Sequence, residues 1–183
     1  DGSWEHILSA LRSQVREAAG REPTPSAVIT ASQPVKTTEE GASRQDAGKK
    51  VTGRKRHVIV DTMDLLLAVV VMPANIQDRD GAKLVLQKLR ARFPELRLIG
   101  QTVVGRATDH QAHEFGGWLL WIVERPDEGK FVVLSRRLLV KRTLAWLGWH
   151  RRVSKDYQAL PESSETFILI ATIYLMLHRL ASG

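Results

Sequence analysis

The stretch from His57 to Met72 constrains this chain more than any other. Two β-branched or aliphatic runs, His57 to Asp61 and Leu65 to Met72, flank the short turn Thr62-Met63-Asp64. Runs of that composition, joined so tightly, predict an antiparallel hairpin. A chain with such a hairpin must build a sheet around it.

The flanking segments predict what completes that sheet. Ser3 to Ala19 has helical periodicity, with Trp4, Ile7, Leu8, Leu11 and Val15 on one face and Glu5, Arg12 and Arg16 elsewhere. Gly20 and Pro23-Thr24-Pro25 stop it. A strand begins at Ala27-Val28-Ile29 and runs into Ala31-Ser32-Gln33, and the polar stretch after it, 37–56, reads as an exposed basic loop. Beyond the hairpin, Asp78-Arg79-Asp80 caps a helix with Ala82, Leu84, Val85, Leu86 and Leu89 inward. Leu96 to Ile99 reads as a strand, Asp109 to Phe115 as a helix, and Trp118 to Val123 and Phe131 to Leu134 as short apolar runs. Leu138 to Leu147 is predicted as a helix with Leu139, Val140, Leu144 and Leu147 inward, and Ser163 or Ser164 as the cap of a last helix. Strands alternating with helices after a hairpin argue for an α/β domain with a mixed sheet. The expected organisation is an N-terminal helix and linker over 1–22 and one domain over 23–183.

Composition narrows the partners. The 183 residues carry a net charge of +7, which points to a polyanion such as nucleic acid. With 0 cysteines there is neither a disulfide framework nor a thiolate metal site, and a reducing cytoplasm is the expected compartment. No secretory signal is legible, and Asp1 in place of an initiator Met suggests a piece of a longer protein. The apolar stretch Thr166 to Leu180 is short for a bilayer and is expected to be a buried helix, with no membrane partner.

Two basic clusters are the candidate binding surface. Lys49, Lys50, Arg54, Lys55 and Arg56 form the first. From Lys130 to Lys155 there is no acidic residue, while Arg136, Arg137, Lys141, Arg142, Arg151 and Arg152 accumulate beside Trp146, Trp149 and Tyr157. A surface of this kind binds DNA through its phosphates, with strong salt dependence and little sequence preference. The alternative is a solvated basic face with the tryptophans in the core, and Trp146 is expected there. His110 and His113 share a helix face, but no further ligand at matched spacing completes a metal set, so a polar helix start is expected. Gly-rich phosphate loops are missing, and no nucleophile elbow surrounds Ser32.

Several motifs, in order, resemble one known family. Pro23-Thr24-Pro25-Ser26-Ala27-Val28-Ile29, Ser32-Gln33 and Val35-Lys36-Thr37-Thr38-Glu39 are similar to the first catalytic strand of DDE-type insertion-sequence transposases of the IS5 group, within the IS4 superfamily. The stretch from Gly48 to His57 resembles the family's basic loop, Ala74 to Ala82 the start of its helix, and Arg142 to Gly148 with Arg151 to Tyr157 its final catalytic helix. The family's N-terminal helical segment has no counterpart among these motifs. The resemblance implies an RNase H-like fold, a mixed sheet flanked by helices. It also implies that two Asp and one Glu hold Mg²⁺ ions for attack on a DNA phosphate, because Mg²⁺ demands hard oxygen ligands.

The acid positions themselves depart from the family. They read Ala31, Thr102 and Lys141 here. Ala31 offers no ligand, Thr102 a neutral hydroxyl, and Lys141 a cation where an anion is needed. At about 4 Å and an effective dielectric of about 20, each pair of unit charges is worth roughly 4 kcal/mol, so a divalent ion beside Lys141 is repelled. Neither a cofactor nor an intact catalytic set is therefore expected.

The resemblance and the charge together imply a degenerate, DNA-binding transposase domain, expected in a bacterial cytoplasm, at the nucleoid, with self-association left open. Its expected partner is double-stranded DNA, in the family the terminal repeats of the element. The expected DNA contacts are Lys36, Lys49, Lys50, Arg54, Lys55, Arg56, Arg137, Arg142, Arg151, Arg152 and Lys155. Two rivals stand beside this reading: a working transposase using substitute ligands such as Asp61 and Asp109, and a regulatory module that no longer meets DNA.

Overall fold

The computed structural model describes residues 2–38, 44–46, 51–90, 92–93, 96, 98–101, 119–122 and 135–182. Its sheet is built on the hairpin. Strand β3 (Val51–Asp61) pairs antiparallel with β4 (Leu66–Pro73), with an irregularity between Ile59 and Val60. On its other side β3 pairs antiparallel with β1 (Ala27–Lys36), Ala31 facing Val58 and Ser32 facing His57. Then β5 (Leu98–Gln101) runs parallel to β1, and β6 (Leu119–Ile122) parallel to β5. The short β2 (Arg44–Asp46) joins the start of β3. Three antiparallel strands, β4-β3-β1, followed by two strands parallel to β1, form an α/β sheet with RNase H-like order.

Helices cover both faces, which explains the unbroken aliphatic run of β4: a strand buried on both sides has no polar face to alternate with. One core layer holds Ile29, Val58, Val60, Leu66, Val69 and Val71 against residues of α1 (Ser3–Ala18), α3 (Ser135–Trp149) and α4 (Pro161–Ser182). The opposite layer holds Val28, Ile59, Leu67, Val70 and Met72 against Val85 and Leu89 of α2 (Asp78–Arg90).

The helix ends follow local chemistry. At the end of α1, Gly20 N–H donates to Glu17 O and Arg21 N–H to Arg16 O, both at 2.9 Å. This closing motif needs a left-handed residue, and Gly20 supplies it at φ 68°.

The structure revises several expectations. The buried face of α1 contains Leu8, Arg12, Val15 and Arg16, while Trp4 and Ile7 are exposed. Arg12 and Arg16 turn inward because buried acceptors await them: Arg12 donates to Leu66 O at 3.2 Å and Arg16 to Asp61 Oδ2 at 2.5 Å. Leu84 lies on the solvent side of α2. The stretch 37–56 is not one exposed loop, since β2 and the first half of β3 fall within it and residues 53–56 are buried. Ser163 and Ser164 lie inside α4, which starts at Pro161. By length and composition alone α4 is apolar enough to cross a membrane. Its inner face, with Ile168, Leu169, Thr172 and Met176, is nonetheless part of the domain core. The readings at Asp109 to Phe115 and Phe131 to Leu134 fall outside the described residues.

Candidate functional site

The centre of the sheet is β1, and Ala31 stands in its middle. Its methyl group is partly buried and packs against the layer that includes Val140, Leu144 and Leu147 of α3. Helix α3 is held at this place by the hairpin turn. Arg142 pairs with the buried Asp64 carboxylate, and the Thr143 hydroxyl donates to Asp64 O at 3.2 Å. Asp64 adopts a left-handed backbone, φ 65°, which acids tolerate better than most residues. With Val140 inward, Lys141 is exposed at the next position of α3. The fold thus packs together β1 and α3, the elements that carry two of the three positions the resemblance assigns to acids, and neither side chain supplies an oxygen ligand. Thr102 lies outside the described residues, although its neighbour Gln101 pairs with Thr30 of β1. Among the described residues no group of three or more His, Cys, Asp or Glu could hold a metal ion. The residues present at positions 31 and 141 therefore do not fit a divalent ion pair.

Asp61 offers no substitute. It is fully buried at the far end of β3, opposite Val28 rather than Ala31. Its Oδ1 accepts from Met63 N–H at 2.7 Å and Leu65 N–H at 2.9 Å, and its Oδ2 pairs with Arg16. That carboxylate closes the hairpin turn and docks α1.

The first basic cluster needs correcting. Arg54, Lys55 and Arg56 are not a solvent-facing loop but consecutive residues of β3, each at most 4% exposed. Strand alternation sends Arg54 and Arg56 to one face and Lys55 and His57 to the other. Arg54 donates to Asp156 Oδ2 at 3.3 Å, to Gln158 O at 2.8 Å and to Ala159 O at 2.5 Å. Arg56 donates to Val153 O at 2.5 Å and Lys155 O at 3.0 Å. Lys55 donates to Ile76 O at 2.9 Å and pairs with Asp78 at the start of α2. Burial lowers the guanidinium pKa of Arg56 to about 10, opposed by the nearby Asp156 carboxylate. Burial likewise lowers Arg12 to about 10, opposed by Asp61. Both stay charged at neutral pH, so their desolvation is a cost that the carbonyl bonds offset.

The other candidates divide clearly. Lys36, Lys141, Arg151, Arg152 and Lys155 are exposed, and the Arg142 side chain is 69% exposed despite its ion pair. Lys49 and Lys50 lie outside the described residues, and Arg137 belongs to α3 without a described side chain. Asp156 is the residue that sequence reasoning missed. It bridges to Thr37, accepts from Arg54 and Ser164, and ties the segment after α3 to the end of β1. Its only signal was its place as the first acid after a run of cations.

Residues 22–105 match the family model described as Transposase DDE domain. The matched span starts in the turn before β1 and ends just beyond β5, so it holds the hairpin, Ala31 and Thr102. The match covers just under half of the chain, and with the strand order it is consistent with an RNase H-like α/β fold. No curated protein matches the chain.

Proposed function

We propose that this protein is a DNA-binding domain of the transposase family, of the IS5 group, that retains the fold and has lost strand cleavage and transfer. One observation carries the reading: Ala31 and Lys141, which the resemblance aligns with two of the family's acids, sit on two elements that pack together. Two-metal phosphoryl chemistry needs carboxylates at those positions to neutralise the ions, and an alanine and a lysine supply none. Mg²⁺ therefore has no role in this reading.

Double-stranded DNA is the proposed partner, supported by the exposed Lys36, Arg151, Arg152 and Lys155 and by the acid-free run that ends at Lys155. The bacterial nucleoid is the proposed place of action. Binding to a terminal-repeat duplex and nicking of a supercoiled plasmid test the proposal together. Duplex binding that falls steeply with salt, without nicking in Mg²⁺ or Mn²⁺, is the expected result. Metal-dependent nicking would overturn the loss of chemistry and favour shifted ligands. Absence of duplex binding would favour a regulatory or interaction module instead.

A further inference from the structure

The end of α3 presents aromatic rings beside two exposed arginines. Trp146 and His150 lie one helical turn apart, with ring centroids 4.2 Å apart. His150 in turn meets Tyr174 of α4 edge-on at 5.9 Å. These three rings form a ladder running from the core edge to the surface, where Tyr174 is 59% exposed. Trp149, in the last position of α3, is 89% exposed. Arg151 and Arg152 follow directly, both exposed.

An indole left almost wholly in water is costly unless something covers it, and flat π-faces beside guanidinium groups are a chemistry that accepts nucleobases. Stacking on an aromatic side chain stabilises each base by about 1–3 kcal/mol and tolerates any sequence, while adjacent cations hold the backbone. A duplex buries its π-faces except at its ends, so unpaired nucleotides suit such a ring far better.

We propose that Trp149, at the same end of α3 as the Trp146–His150–Tyr174 ladder and followed in the chain by Arg151 and Arg152, is a stacking site for unpaired nucleotides of DNA. The proposal deepens the DNA-binding reading and rests on it for the identity of the polymer. Ile170 and Leu177 flank Tyr174 on the same outer side of α4, which raises a second copy of this chain as a rival occupant. Charge decides against it. A two-fold contact would oppose like patches, bringing the Arg151 and Arg152 of two copies together. A polyanion is complementary to the same surface.

Fluorescence anisotropy of the whole chain with a labelled oligothymidine, an abasic strand of equal length and a duplex gives the test. Trp149→Ala is expected to weaken oligothymidine binding about tenfold and duplex binding less than twofold. Trp149→Phe should restore most of the loss, and the melting temperature should not move, because the ring is exposed. Equal affinity for the abasic and thymidine strands overturns the stacking site and leaves the duplex reading intact. Oligothymidine binding without duplex binding upholds the site and removes the duplex reading. Failure to bind either overturns both. A concentration-dependent dimer that Trp149→Ala dissolves would assign the surface to a second copy and overturn the site.

Discussion

The Arg54 guanidinium donates to the Asp156 carboxylate at 3.3 Å, across 102 residues of chain, and both side chains are buried. This pair and the carbonyls of Gln158 and Ala159 fasten the link between α3 and α4 to the start of β3, beside the end of β1. Removing one partner of a buried pair leaves an uncompensated charge, at a cost of about 3–5 kcal/mol. Arg54→Ala and Asp156→Ala should each lower the free energy of unfolding, measured in urea, by that amount. The double variant should lose clearly less than the two together, because they share one contact. Additive losses would show that the pair is not coupled.

The His57 ring lies against Gly81 of α2, so closely that a Cβ at position 81 would overlap the imidazole. Glycine inside a helix ordinarily costs about 1 kcal/mol relative to alanine. Here the close approach reverses that sign, and Gly81→Ala should destabilise by about 1–3 kcal/mol through overpacking. In a His57→Ala background the same substitution should stabilise. Equilibrium denaturation of the four proteins measures the coupling, and an unchanged effect of Gly81→Ala in the two backgrounds would refute the contact.

How much of this was legible in the sequence depends on which force set each element. The hairpin, α2 and the inward face of α3 followed from hydrophobic periodicity, since burial alone places Val58, Val85 and Leu144. The basic run at Arg54 to Arg56 misled, because charge is ordinarily read as exposure. Its partners, Asp156 and a series of carbonyls, lie about a hundred residues away and leave no local pattern. The same holds for Arg12 and Arg16, whose acceptors on Leu66 and Asp61 rotate α1 away from its most apolar face. At the candidate site, the sequence pointed to positions 31 and 141 through their motifs. Only the fold puts them on packed elements and spends Asp61 on the hairpin turn.

Exposed and buried cations should separate in their salt response. Each phosphate contact contributes about 0.9 to the slope of log affinity against log salt. Arg151→Ala and Arg152→Ala should each lower that slope by about 1 while leaving stability unchanged within about 0.5 kcal/mol. Arg56→Ala should do the opposite, since it removes buried bonds to Val153 O and Lys155 O. Its midpoint should fall while the slope of the remaining folded protein holds. A slope that drops with Arg56→Ala and not with Arg151→Ala would reverse the assignment of surface and core.

Restoring the acids gives the sharpest test of lost chemistry. The variant Ala31→Asp, Thr102→Asp, Lys141→Glu replaces a net +1 at these positions with −3, at a cost in stability from mutual repulsion of the acids. Without metal it should melt below the parent. Binding to the folded state alone at about a hundred times Kd adds about 2.7 kcal/mol. For a chain of this size that corresponds to a rise of about 5–10 °C in Mn²⁺. The parent should show no such rise. Changing Lys141→Glu alone should give little, because Ala31 still leaves the ion without a ligand from the central strand. If the parent itself gains stability in Mn²⁺, a metal is held by other residues and the inert reading fails. If the triple variant folds and gains nothing, these three positions are not the metal-binding set, and their assignment from the family motifs must be abandoned.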